Sequence, residues 1–345
     1  MIQSLQSLRF IFVILIFVGH FTYGMSATDA LGDGGVAFFF MLSGFILSKS
    51  YENKVERGDF RLKPFVISRW KKFYPAHLLM VAVFILVNLK NLHADDYLRM
   101  IPAIFLVQSW IPDKDFYFAA NSVSWFLSSL TFAYLAFSTL LRIMQVRQHV
   151  FTVAILVSYI LATYLVPATM VNKLVYVNPL FRIVDFILGM YTFQCYKKLK
   201  PRLKATDSTL KSSLKECLAI AIAALPFLLY TEIDEKVRTA SIFWLPFFTL
   251  IIIFSLHEGK GGIFTKLLKN NNLVYFGNIS FMFYIIHQVI INVLHRTVIN
   301  LQWNLSVPMA FILFFATTIL LSSLLHKWFA RKKTIPEKYR QTQNT

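Results

Sequence analysis

Eleven apolar runs follow one another through the sequence, at 8–24, 34–50, 73–92, 97–110, 122–141, 149–167, 180–196, 216–231, 240–257, 273–298 and 305–328. Most approach the roughly 20 residues that a membrane-crossing helix needs. A backbone inside lipid must bond to itself, so repeated runs of this kind can only become a bundle of helices. Composition agrees: 57% of residues are hydrophobic and only 15% are charged, with a mean hydropathy of +0.57. Soluble domains carry about 25% charged residues. The fold class expected is an all-α polytopic membrane protein.

The net charge of +18 would suggest nucleic acid in a soluble chain. Here the bases fall between apolar runs, which is a topology signal and no sign of a nucleic-acid partner. One cluster runs from Lys49 to Lys72, a second from Lys197 to Lys215. Lys260, Lys266 and Lys269 mark a third, and Lys327 through Arg340 a fourth. If all four face the cytoplasm, an even number of crossings separates the first from the second, yet five runs lie between them. One of these fails to span. The short run 97–110, broken by Arg99 and Pro102, is the first choice, and 149–167 is the alternative. About ten spans result, in the cell (inner) membrane, with both termini cytoplasmic. The expected domains are a membrane region over 1–330 and a basic cytoplasmic tail over 331–345. Cys195 and Cys217 fall near a basic loop, so neither a disulfide nor a metal site is expected.

The first run places Arg9 at its start and His20 near its end. On a helix the two share a face to within about 20° and lie about 16 Å apart along the axis. Ionisable groups on membrane helices are costly and face a bundle interior or a wet cavity. The pair reads as the wall of a site, or more simply as a topogenic charge and an interfacial histidine. A secretory signal peptide also fits the run, with Gly24 and Ser26 after it, but the membrane spans that follow outweigh it. The second run opens Gly32-Asp33-Gly34-Gly35-Val36 and continues to Ser43-Gly44-Phe45. Its glycines suit close helix approach, or a turn whose amides meet a ligand. Phe65-Val66-Ile67-Ser68-Arg69 precedes Phe73-Tyr74-Pro75. Arg69 suits a phosphate on the cytoplasmic side, or is a topogenic charge.

These three motifs, in this order and spacing, resemble the acyltransferase family 3 membrane proteins, which O-acylate bacterial surface carbohydrates and some other acceptors. The resemblance extends to Asn178 through Asp185-Phe186, where Arg182 and Asp185 share a helix face. It extends again to Gly277 through His287, where Ser280, Tyr284 and His287 form a polar stripe. The chain departs from the family at Leu130, where a Glu often stands, and at His326-Lys327-Trp328, where many members have an acidic residue and Pro.

The resemblance implies an integral membrane O-acyltransferase. Its donor would be acetyl-CoA, an acyl-CoA co-substrate and no bound cofactor. Its acceptor would be a hydroxyl of a surface or lipid-linked sugar. His20 is then the general base, and Arg9 positions the donor or stabilises the oxyanion. Arg69, with Gly35 and Ser43, would bind the donor. Tyr74, Arg182, Asp185, Ser280, Tyr284 and His287 would be supporting polar residues. Membrane lipid surrounds the bundle, and polysaccharide-assembly proteins are expected partners. A glycolipid transporter or flippase, or a non-catalytic scaffold, would use the same polar pairs differently.

Overall fold

A computed structural model describes residues 2–23, 29–202, 208–238, 241–259 and 261–331. Within them the chain is helical and contains no strand. Apart from Arg331, the basic tail lies outside the described residues, as do Gly24 and Ser26.

The helices are α1 (Gln3–His20), α2 (Asp29–Glu56), α3 (Leu62–Asn88), α4 (Ala94–Ile104), α5 (Lys114–Tyr117), α6 (Trp125–Leu165) and α7 (Pro179–Leu199). They continue as α8 (Thr209–Leu228), α9 (Glu235–Arg238), α10 (Trp244–Leu256), α11 (Ile263–Leu268), α12 (Asn271–Asn300) and α13 (Val307–Arg331). Among the described residues, six stretches are long and apolar enough to cross a membrane: α1, α2, α3, α6, α12 and α13, with short extensions to some.

Helix α6 hides a reversal. Arg147 has φ −140° and ψ 53°, outside the helical region. Before it, Trp125 packs on Tyr176 at 4.8 Å and Gln145 bonds Glu56. After it, His149 bonds Tyr191 at 2.9 Å, while Tyr159 packs on Phe181 at 5.6 Å and on Trp244 at 4.9 Å. The second limb therefore runs back along α7, against the direction of the first. The runs 122–141 and 149–167 are two crossings joined at one residue, and 149–167 does not dip.

The dipping stretch is 97–110. Helix α4 begins with Asp95 and Asp96, and the chain turns sharply at Leu106, with φ 57°. Tyr74 Oη donates to the Ile104 carbonyl (3.0 Å), and His77 Nε2 donates to that of Ala103 (2.9 Å). Ser109 Oγ donates to the Trp125 carbonyl (2.8 Å). The segment thus leaves from and returns to one end of the bundle. With α7, α8 and α10 added, ten described segments run between the two ends: α1, α2, α3, both limbs of α6, α7, α8, α10, α12 and α13.

One end, here the basic end, holds the start of α1. Glu258 accepts from the Gln3 and Ser4 amides (2.7 and 3.3 Å) and from Ser4 Oγ (2.8 Å). A carboxylate there satisfies otherwise unpaired helix donors and opposes the helix dipole. At the centre α2 crosses α7 at near-backbone distance: Gly44 meets the Phe186 carbonyl and Gly189 meets that of Met41. Small residues permit this approach, and packing drives helix association where no hydrophobic effect separates helix from lipid.

Two outcomes are expected. In a background with Cys195 and Cys217 replaced, single cysteines at Arg147 and Lys211 should label from one side of the membrane and a cysteine at Leu165 from the other; labelling of 147 and 165 from the same side would refute the hairpin. Gly189→Val forces a side chain into α2 backbone and should cost upwards of about 1–3 kcal/mol, read as early loss of the monodisperse peak on heating in detergent.

Candidate functional site: two cavities on one helix

Helix α1 is continuous, and its two ionisable residues open into different cavities. At the basic end a cavity of about 870 Å³ is lined by Arg9, Ser43, Arg69, Lys71, Lys72 and His326 among others. No carboxylate stands among its described lining residues. Its inner wall is apolar: Phe39, Leu42, Phe126, Leu130 and Met282. At the far end a cavity of about 600 Å³ is lined by His20, Asp29, Asp33, Tyr176, Tyr230 and Gln288, with Trp125 and Lys114. Tyr284 lies by the partition, packed on Phe39 (6.3 Å) and Phe126 (5.1 Å).

Arg9 is half-buried, lines the cavity at the basic end, and makes no hydrogen bond or ion pair with any described residue. Leu130 leaves no carboxylate at that point of the wall. Arg69 is oriented: Nη2 donates to Tyr51 Oη (2.8 Å), and the guanidinium lies 5.2 Å from the Tyr51 ring and 5.3 Å from that of Phe65. Its buried Nε has no partner. Two guanidiniums with unused donors suit an anion.

His20 is set by a neighbour 267 positions away. His287 is fully buried, and its Nδ1 donates to the Tyr284 carbonyl at 2.6 Å. A neutral ring that donates at Nδ1 accepts at Nε2. That Nε2 is 3.2 Å from His20 Nδ1, which also lies 2.9 Å from the Ile16 carbonyl. Both partners of His20 Nδ1 are acceptors, so its proton sits on Nδ1. The lone pair of His20 Nε2 remains, and His20 lines the far cavity. Tyr284 Oη is fixed by donation to the Val123 carbonyl (2.8 Å).

The other expected residues fall elsewhere. Gly35 lines neither cavity: it packs against Ile16 and the Phe12 backbone, letting α1 approach α2. Gly35 thus serves the packing of α1 on α2. Tyr74 anchors α4, and Ser280 Oγ donates within its own helix to Gly277 (2.8 Å). Arg182 and Asp185 are paired at 2.9 Å, both 1% exposed. Arg182 Nε also donates to the Tyr176 carbonyl (2.6 Å), and Trp244 Nε1 donates to Asp185 (2.5 Å). The pair braces the wall behind Trp125 and Tyr176, on whose rings Arg182 lies. Sequence reasoning missed Asp33, which accepts from Tyr230 Oη and bonds Tyr176. Asp33 lies inside Gly32-Asp33-Gly34-Gly35, where a carboxylate among glycines reads equally as part of a loop.

The profile described as an acyltransferase domain, of the acyltransferase 3 family, matches residues 2–327. The chain belongs to that family. It is 25% identical over 327 residues to the acyltransferase MdmB of Streptomyces mycarofaciens, covering 86% of this chain and 80% of that one. It is 27% identical over 133 residues to the peptidoglycan O-acetyltransferase OatA of Listeria monocytogenes, covering 36% of this chain and 19% of OatA. No solved structure matches it. The protein is therefore an integral membrane O-acyltransferase.

The histidine pair yields an expectation for this acyltransferase. His287→Phe keeps an aromatic ring but removes the acceptor from His20 Nδ1. It should lower kcat about tenfold or more, with the KM of the acyl donor unchanged in steady-state assays.

Proposed function

We propose that this acyltransferase moves an acetyl group from acetyl-CoA to a hydroxyl of a surface or lipid-linked carbohydrate. One observation carries the reading: a basic cavity and a His20-bearing cavity open from opposite ends of the bundle and approach each other along α1. The Listeria relative is a peptidoglycan O-acetyltransferase, which supports the choice of an acetyl donor and a glycan acceptor.

In this reading the basic end is cytoplasmic, as the positive-inside rule favours, and the membrane is the inner one. Acyl-CoA enters there. Arg69, Lys71 and Lys72 take its phosphates, and Arg9 holds the arm further in. The rise of about 16 Å between Arg9 and His20 favours donor positioning by Arg9 over contact with the oxyanion. The acyl end passes by Phe39, Phe126 and Tyr284 toward the far cavity. There His20 Nε2 accepts the acceptor's hydroxyl proton as the oxygen attacks the thioester carbonyl. As the carbon–sulfur bond breaks, the thiolate takes that proton from His20, leaving an ester and free CoA. His287 Nε2, on the other side of the ring, accepts from the imidazolium's Nδ1–H and stabilises it.

The test is transfer of labelled acetyl from acetyl-CoA by the purified protein. His20→Ala and His20→Gln should each lose about 10²–10⁴-fold in rate, while the protein still inserts. Activity should fall as pH is lowered, because His20 must be neutral to take the proton. Arg69→Lys keeps the charge but loses the fork and should raise the KM for acetyl-CoA. Near-normal turnover by His20→Gln, or an unchanged KM in Arg69→Ala, would overturn the respective role. In cells, deletion of the gene should remove one ester signal from the surface glycan.

A further inference from the structure

The two cavities differ in charge as well as position. Among described residues, the basic cavity is lined by cations and no carboxylate. The far cavity is lined by Asp29, Asp33 and Glu235 against Lys114. Asp29 is exposed at the start of α2, and Asp33 lies one turn deeper on the same face. Glu235 comes from the opposite wall, on α9. Arg182 stands behind the Trp125 and Tyr176 rings, is committed to Asp185, and does not line the space.

An ionised carboxylate offers roughly four lone-pair sites. Tyr230 and Tyr176 supply two hydroxyl donors to Asp33, which leaves acceptor capacity on the cavity side. Two neighbouring hydroxyls of a sugar ring, or one ammonium, match that capacity. The apolar edge of such a ring fits the faces of Trp125, Tyr176 and Tyr230. A ring bearing a carboxylate or phosphate would meet the like charges of Asp29 and Asp33 in the same cavity.

We propose that the far cavity selects a sugar ring without an acidic group, neutral or amine-bearing, and that Asp33 is the residue that binds it. This rests on the reading of that cavity as the acceptor site. The same charge pattern favours return of the polyanionic CoA product to the basic end.

The test uses the full-length protein in detergent with labelled acetyl-CoA. Three acceptors are compared: methyl β-glucopyranoside, methyl 2-amino-2-deoxy-β-glucopyranoside and methyl β-glucopyranosiduronate. Alkali-labile acetyl product is measured. The first two should be acylated with kcat/KM at least about tenfold above the third. Asp33→Asn should raise the KM for the neutral glycoside about tenfold or more, with the KM for acetyl-CoA within about twofold. Asp29→Lys, at the exposed rim, should narrow the gap between neutral and acidic acceptors, and it keeps the charge question open to test if Asp33→Asn does not fold. Equal use of the uronate, acylation of none of the three, or an Asp33→Asn variant with unchanged acceptor KM would overturn the proposal. Acetyl-CoA binding, and slow hydrolysis of acetyl-CoA that depends on His20, are measured without sugar. Their loss would sink the site reading itself, whereas their presence beside absent discrimination would sink only this inference.

Discussion

The near-backbone packing of α2 between α1 and α7 is the contact on which the rest depends. Gly35 admits α1 on one side, and Gly44 with Gly189 admits α7 on the other. Both cavities take part of their lining from α2: Phe39, Leu42 and Ser43 toward the basic end, Asp29, Gly32 and Asp33 toward the far end. One rigid rod therefore sets the distance between the two spaces, as α1 does with Arg9 and His20. Side chains at these crossings would push the rods apart, and the cavities would lose their common frame.

The topology was legible because charge and parity are both sequence properties. Four basic clusters and eleven runs forced one run not to cross, and 97–110 is the one, with acidic residues opening α4 and a reversal at Leu106. The hairpin in α6 was foreseen as two runs, but the single-residue turn at Arg147 was not, since no Gly or Pro marks it. The candidate site was legible by direction more than by depth. Helical periodicity put Arg9 and His20 on one face; it could not say that packed aromatic rings near Tyr284 divide that face into two rooms. Ser280, Tyr284 and His287 were visible as a stripe, but the contact of His287 with His20 depends on α1 lying beside α12, which no local pattern encodes. Gly35 misled because a packing glycine and a ligand-turn glycine read alike in sequence.

The opposed polarity of the cavities separates two problems that one pocket would confound. Arg69 Nε is buried without a partner and Arg9 shares its cavity, which has no carboxylate among its described lining residues, an arrangement that suits water or a ligand as the counterpart. His20 sits apart from those cations and between acceptors, so its proton position follows from neighbours alone. Hydrogen bonds to backbone carbonyls at Ile16 and Tyr284 make that arrangement independent of any side chain except His287.

The turn at Arg147 also bears on how the protein is made. The two limbs of α6 meet at a single residue, so the second limb has no slack in which to wait while the first settles in the bilayer. A connection this short keeps the two limbs side by side from the moment both are made. α7 follows them in the chain and packs along both limbs, so it docks on a pair already joined, and the length of one connection sets the surface that α7 meets.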